Sequence, residues 1–337
     1  MKISLLFITY NHAAFVARAI RSAMAQDHPD LELVICDDAS TDSTVAILKD
    51  ELRHCPSRIP VVWASSVKNA GLIANFNRGM GACTGEIIVP MSGDDISMPH
   101  RASAVAAVFS AHPQCMLVVS DCMQTDAQDR ILKPSCLSPR QEVFRHGRRI
   151  KDAYAGAPVC GAAAAYRAAL HDKFGPMIQG PHGEDNCYWN RALMLGEIHC
   201  TTNPLVQWRA HEANLSNALK GADSPAARRK HIRFLRKHEQ FLPQWQRDVE
   251  RAMKDNLIAK EFGCKLLAVL RTRTDYERLL RQSLTHAGWK TWCGTAMRIL
   301  RAHPSPATAN RLASKLKLWL SAKRQAKYWR RQFPQGS

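Results

Sequence analysis

The chain has 337 residues, 46% apolar and 23% charged, a balance that excludes a disordered polar tract and suits one large domain or two ordinary ones. Its formal charge of +18 suggests a nucleic-acid binder until it is located: residues 220–337 hold 27 Lys and Arg against 8 Asp and Glu, while residues 1–219 hold 20 against 21. A near-neutral body therefore precedes a basic C-terminal third, and no recognisable nucleic-acid-binding motif accompanies the charge, so no nucleic-acid partner is expected.

The 11 cysteines are odd in number and irregularly spaced, and Cys36, Cys83 and Cys115 lie in or beside apolar runs where a thiol behaves as a small core residue. A reducing compartment and no structural zinc site are expected, since no two cysteines are spaced as CxxC. The apolar start of the chain lacks a small-residue cleavage site, and no run of about 20 apolar residues occurs. The expectation is a cytoplasmic protein that does not span a membrane.

Strand-like and helix-like segments alternate from the N-terminus, the pattern of an α/β, mainly parallel sheet covered by helices. Residues 3–9 read as a strand and 14–26 as a helix whose Phe15, Ala19, Ile20 and Ala23 share a face. Residues 31–37 form the second strand, and the cap-rich Asp38-Ala39-Ser40-Thr41-Asp42 leads into a helix over 44–53. A strand at 60–64, a helix at 72–82 and a strand at 86–91 follow. Pro99 opens a helix to about Ala111, and 115–120 closes this half as a fifth strand. Beyond residue 121 the pattern weakens. The small-residue run 162–165 reads as close helix packing, Gly183-Glu184-Asp185-Asn186 heads a helix, and Gln207-Trp208-Arg209-Ala210-His211 ends a strand. From Pro225 onward the Arg-, Lys-, Leu- and Ala-rich text reads as helices. The expected domains are 1–220, with halves 1–121 and 122–220, and a basic, mainly helical region 221–337.

Two carboxylate pairs end two apolar runs, Asp37-Asp38 after residues 31–36 and Gly93-Asp94-Asp95 after residues 86–91. Alone, either pair is as readily a turn and helix cap as a site. At successive strand ends, with Asn69-Ala70-Gly71 between them, they fall where parallel sheets bind ligands, and paired hard oxygens suit Mg²⁺ or Mn²⁺ bridging to phosphate.

Four blocks in order make the chain resemble the family 2 glycosyltransferases, inverting enzymes of the Rossmann-like GT-A fold. They are Thr9-Tyr10-Asn11, Asp37 to Asp42, Asn69-Ala70-Gly71 with Asn77 and Gly81 leading to Gly85-Glu86-Ile87-Ile88, and Ser92-Gly93-Asp94-Asp95. Gly183-Glu184-Asp185 and Trp208-Arg209-Ala210-His211, with Asn214 and Ser216, follow as weaker blocks, so the resemblance covers about residues 1–217. It implies a nucleoside-diphosphate donor bound by Thr9, Tyr10, Asp38, Asn69 and Asp94, with an acceptor for an imide N–H at Asp38 favouring UDP or dTDP. It implies a divalent metal, Mn²⁺ or Mg²⁺, on Asp94, Asp95 and His211, and a diphosphate closed over by Arg209 and His211. Asp185 is the expected general base, tuned by Glu184, and the acceptor is a hydroxyl of a surface polysaccharide, lipopolysaccharide or lipid-linked glycan. The family motif carries an acid two residues before the metal-binding one, and Ser92 stands there, which keeps open a non-catalytic nucleotide-sugar-binding relative of the fold. The basic third has three readings: a solvated helical face, a nucleic-acid contact, and attachment to an anionic membrane surface, for which Trp319, Trp329 and interleaved Lys and Arg residues of the last 30 positions speak.

Overall fold

A computed structural model describes residues 1–136, 142–144, 161–178, 183–211 and 241–284, with five further positions between 293 and 301. The expectations at Asn214, Ser216 and the Trp- and Lys-rich C-terminus lie outside the described residues. The chain divides into two compact units, one of Met1–Glu212 with Arg247–Gly263 and one of Ala213–Gln246 with Cys264–Ser337.

The first unit is built on one sheet in the order β3-β2-β1-β4-β9-β6-β10-β5, with β7 beside β6 and β8 beside β10. Strands β1 (Ile3–Thr9), β2 (Leu31–Asp37), β3 (Val61–Trp63) and β4 (Ile87–Ser92) are parallel neighbours. Their residues are buried on both faces along β1 and β2, as expected of strands that read as unbroken apolar runs. Helices α1 (Val16–Met24), α2 (Thr44–Glu51), α3 (Leu72–Ala82) and α4 (Arg101–Ala111) connect them and neighbouring strands. One core layer sets Ile3, Leu5 and Phe7 of β1 against Val16, Ala19, Ile20 and Ala23 of α1.

Past β4 the sheet changes character. After β5 (Ile96–Ser97) comes β6 (Cys115–Thr125), which runs five residues beyond the strand end expected at Ser120. Asp121 looks like a boundary residue, but it is buried within the strand because Cys122 N, Cys136 N and the Ser135 hydroxyl all donate to its carboxylate. Short strands β7 (Ile131–Lys133) and β8 (Glu142–Phe144) follow.

The alanine run departs from expectation. It is not helix packing but a 3₁₀ turn, Gly161–Ala163, opening strand β9 (Ala164–Arg167), which is antiparallel to both β4 and β6. Buried Arg101 lies close enough to bridge the carbonyls of Pro90 and Ala164 at 3.1 and 3.0 Å. Small side chains in the middle of a sheet leave room for such a neighbour, a demand that sequence alone does not distinguish from helix packing.

Helices α5 (Ala169–Phe174) and α6 (Glu184–Leu195) precede the long strand β10 (Glu197–Arg209), parallel to β6. Segment Arg247–Gly263 is fastened to α6 by a buried ion pair in which Arg191 Nε and Nη2 donate to Asp248 at 2.8 and 3.1 Å. Helices α7 (Phe241–Lys254) and α8 (Lys260–Leu284) agree with the helical reading of the basic third. Among the described residues no helix is long and apolar enough to cross a membrane.

Candidate active site

The carboxyl ends of β1, β2, β4 and β10 meet at one edge, and most of the residues singled out from the sequence stand there. Register places Thr9 beside Asp37 and Ile8 beside Ser92, so the three blocks that end these strands are neighbours by construction. The backbone is strained at this edge, with Asn11 and Ala39 at φ values of 54° and 60°, a region few non-glycine residues adopt.

The first acidic pair divides its labour. Asp37 builds the turn, accepting from Ser40 N at 2.8 Å and from the Ser40 hydroxyl. Asp38 accepts from Ala70 N at 3.0 Å and Gly71 N at 2.7 Å, drawing the Asn69-Ala70-Gly71 loop over the end of β2. Gly71 takes φ 85° to make that approach, which a side chain would strain. A carboxylate has about four lone-pair positions, so these two bonds leave Asp38 able to accept another N–H. Thr9 is buried beside it, Tyr10 is 41% exposed, and Asn69 is exposed on the loop.

The second pair is also divided. Asp94, 7% exposed, accepts from the Ser92 hydroxyl through Oδ1, while its Oδ2 lies 3.0 Å from His211 Nε2 and 3.8 Å from His12 Nε2. Burial alone would raise the Asp94 carboxyl, but the His211 hydrogen bond, the His12 charge and the Ser92 hydroxyl hold it below the usual carboxylate range. Ser92, standing where the family motif carries an acid, therefore supports Asp94 by hydrogen bonding. Asp95 faces β10 and accepts from Arg209 N at 2.9 Å. A Cβ on Gly93 would sit 2.5 Å from Thr9 Oγ1 and 2.7 Å from His12 Nδ1, so the loop closes this tightly only with glycine.

Sequence reading puts Arg209 on a diphosphate, but the structure turns its guanidinium inward. It is 1% exposed, donates to the Asp94 carbonyl and to Asp129, and stacks 4.9 Å from the centre of the Phe15 ring. His211 also packs against the Phe15 ring, with ring centroids 4.7 Å apart. His12 was not among the expected site residues. It directly follows the Thr9-Tyr10-Asn11 block, and its distance from Asp94 in sequence hides the pairing. Burial is the largest influence on its imidazole and lowers its pKa, although the Asp94 charge acts the other way.

Glu184 and Asp185 form the first turn of α6 and reach this edge through β9. Because β9 is antiparallel to β4, its opening turn Gly161–Ala163 lies at the carboxyl end of β4. A Cβ on Gly161 would lie 2.9 Å from Glu184 Oε1 and 3.7 Å from Asp185 Oδ2. Asp185 Oδ1 accepts from Asn186 N at 2.7 Å, the helix-start arrangement that favours a negative charge. After burial, the charges of Glu184 and Asp185 are the largest influences raising the Tyr166 phenol above its ordinary value.

Asp94 and His211 pair a hard carboxylate with an imidazole, their Oδ2 and Nε2 atoms 3.0 Å apart. Among the described residues no three His, Cys, Asp or Glu side chains converge to hold a metal ion. One or two protein groups fit a catalytic Mg²⁺ or Mn²⁺ that takes its remaining ligands from substrate phosphates and water.

A model of glycosyl transferase family 2 matches residues 4–175. An uncharacterized glycosyltransferase of Nostoc sp. is 29% identical over 229 residues, spanning 66% of this chain and 69% of that protein. S. aureus TarS 1–349, solved in complex with UDP, superposes with a TM-score of 0.62 at 17% identity, covering 97% of this chain and 92% of that one. The mannosyltransferase PcManGT of Pyrobaculum calidifontis, solved with GDP-Man and Mn²⁺, superposes with a TM-score of 0.50 at 17% identity, covering 95% of this chain and 86% of that one. At such identities the two structures speak for the α/β GT-A fold, and the family match covers about half of the chain. The chain belongs to glycosyl transferase family 2 and is a sugar-transferring enzyme.

Proposed function

We propose that the enzyme moves one sugar, with inversion, from a nucleoside diphosphate to a hydroxyl of a surface polysaccharide, lipopolysaccharide or lipid-linked glycan. The observation that carries this reading is the buried Asp94 carboxylate with His211 at 3.0 Å and His12 at 3.8 Å, at the strand edge that also bears Asp38. Asp94 and His211 would hold the divalent ion, which neutralises charge building on the departing diphosphate. Asp95 and Arg209 keep the Asp94 loop against β10. Thr9, Tyr10, Asp38 and the Asn69 loop frame the base, and an acceptor at Asp38 for an imide N–H favours UDP or dTDP. TarS, solved with UDP, supports that preference, whereas PcManGT, solved with GDP-Man, shows that the fold also takes guanine.

Asp185 takes the proton of the acceptor hydroxyl as its oxygen bonds to the anomeric carbon, and the bond to the diphosphate breaks with its electron pair leaving on phosphate. Glu184 alongside raises the energy of a second negative charge and so the basicity of Asp185. Asp185→Asn is expected to lower transfer by about 10³-fold while nucleotide binding survives, and near-normal turnover would remove Asp185 as the base.

The Trp- and Lys-rich residues 305–337 support a peripheral place at an anionic membrane surface, where lipid-linked acceptors reside. Deleting them should lower binding to vesicles containing anionic lipid, and unchanged binding would refute that attachment.

A further inference from the structure

Asp129 belongs to none of the groups assigned above, yet it braces the loop that carries Asp94 and Asp95. It sits in the turn after β6, 80 residues before Arg209 in sequence. Its Oδ1 accepts from Arg209 Nε at 3.0 Å and from Arg209 Nη2, and its Oδ2 accepts from Arg18 of α1. Arg209 in turn donates its main-chain N–H to Asp95 and a guanidinium N–H to the Asp94 carbonyl. Two residues on is His211, the neighbour of Asp94 Oδ2. One carboxylate thus ties α1, the β6 turn and the end of β10 to both acids of the site.

The turn itself does not need that carboxylate. Asp126 builds it, its side chain accepting from Gln128 N and Arg130 N at 2.9 Å each and from Arg130 Nε at 2.7 Å. Asp129 contributes a backbone N–H to the Asp126 carbonyl at 3.1 Å. Its φ of 66° is one that glycine adopts with less strain. What the acid adds in that conformation is a charge shared by two arginines on its oxygens. Without it, the 1%-exposed Arg209 guanidinium loses a counter-charge and the atoms it fixes on Asp94 and Asp95 lose their reference.

We infer that Asp129 is a positioning residue that sets the Asp94–His211 pair for metal, an inference that rests on the reading of that pair as the metal holders. Groups behind the ligands of a metal site characteristically change metal affinity about 10- to 100-fold when removed. The test is Mn²⁺ binding by the purified full-length protein in the presence of UDP, read from the EPR signal of free Mn²⁺. Asp129→Asn, which tolerates the same backbone conformation, and Asp129→Gly, which relaxes it, should both raise the half-saturating Mn²⁺ about tenfold. Asp129→Glu, which keeps the charge, should recover part of the loss. The midpoint reports folded molecules, so a smaller folded fraction lowers the amplitude without imitating the shift. Wild-type midpoints in Asn and Gly variants would overturn the inference while leaving the Asp94 reading intact. If Asp94→Ala also titrates like wild type, the Asp94 reading fails and the inference with it.

Discussion

The Asp94-Asp95 and Glu184-Asp185 pairs are two adjacent acidic dipeptides at the site, and they are held in opposite ways. The first is buried, and its carboxylates are engaged by Ser92, His211 and the backbone of Arg209. The second is half-buried on the first turn of a helix, with Asp185 bonded to the neighbouring Asn186. The difference matches the two roles proposed for them, a fixed electrostatic fitting and a group that changes protonation during transfer. A buried carboxylate kept below its usual pKa stays ionised and suits a metal, whereas a carboxylate at a helix start, flanked by another acid, is reached by solvent and can take and release a proton.

Changing one pair at a time breaks the comparison most directly. Asp185→Asn should lower turnover by about 10³-fold with nucleotide binding unchanged, the span ascribed to a general base. Asp94→Asn should lower metal-dependent transfer by about 10²-fold and weaken nucleotide binding in the presence of Mn²⁺ as well. Turnover and nucleotide titrations on both variants separate the roles, and identical effects on both quantities would show that the pairs do one job.

A smaller effect sharpens the contrast from the far end of the same strands. Glu32 at the start of β2 accepts from Lys2 at 2.7 Å, Ser4 at 2.5 Å, and Thr84 N and Oγ1 at 2.6 Å each. Burial raises its carboxyl, but these donors outweigh it and bring the pKa from about 4.5 down to about 2. A depressed folded-state pKa means a contribution fully present above about 4.5 and lost as pH falls toward about 2. Denaturant unfolding across that window should show wild type losing stability more steeply than Glu32→Gln, and parallel slopes would show that Glu32 contributes nothing there.

The first half of the sheet was legible because its signals are local. Runs buried on both faces gave β1 and β2 their bounds at Ile3–Thr9 and Leu31–Asp37, and Gly71 and the turn after Ala82 bracketed α3 at Leu72–Ala82. Asp38, Asp94 and His211 stood out as candidates because each lies one or two residues past a strand end, at the edge where such sheets gather ligands. The other half depends on long-range partners. Asp121 reads as a strand end unless Ser135 and Cys136 are known to cover it, and the β9 alanine run meets Arg101, about 60 residues earlier in the chain, through the Ala164 carbonyl. His12 and Asp129 were invisible for the same reason, since each acts through a partner about 80 residues away. Arg209 shows the converse: its place in the motif was legible, while the direction of its guanidinium was set by Asp129 and Phe15.

The proposed donor site is a metal-dependent nucleotide site spanning Asp38 and Asp94. Thermal unfolding with UDP, dTDP, GDP and CDP, each with and without Mn²⁺, tests it most directly. A ligand at about 100 times its dissociation constant adds about 2.7 kcal/mol, a shift of a few degrees for a chain of this size. A rise with UDP or dTDP that requires Mn²⁺ and disappears in Asp94→Asn is expected. A rise that ignores both metal and Asp94, or no rise with any of the four nucleotides, would contradict it.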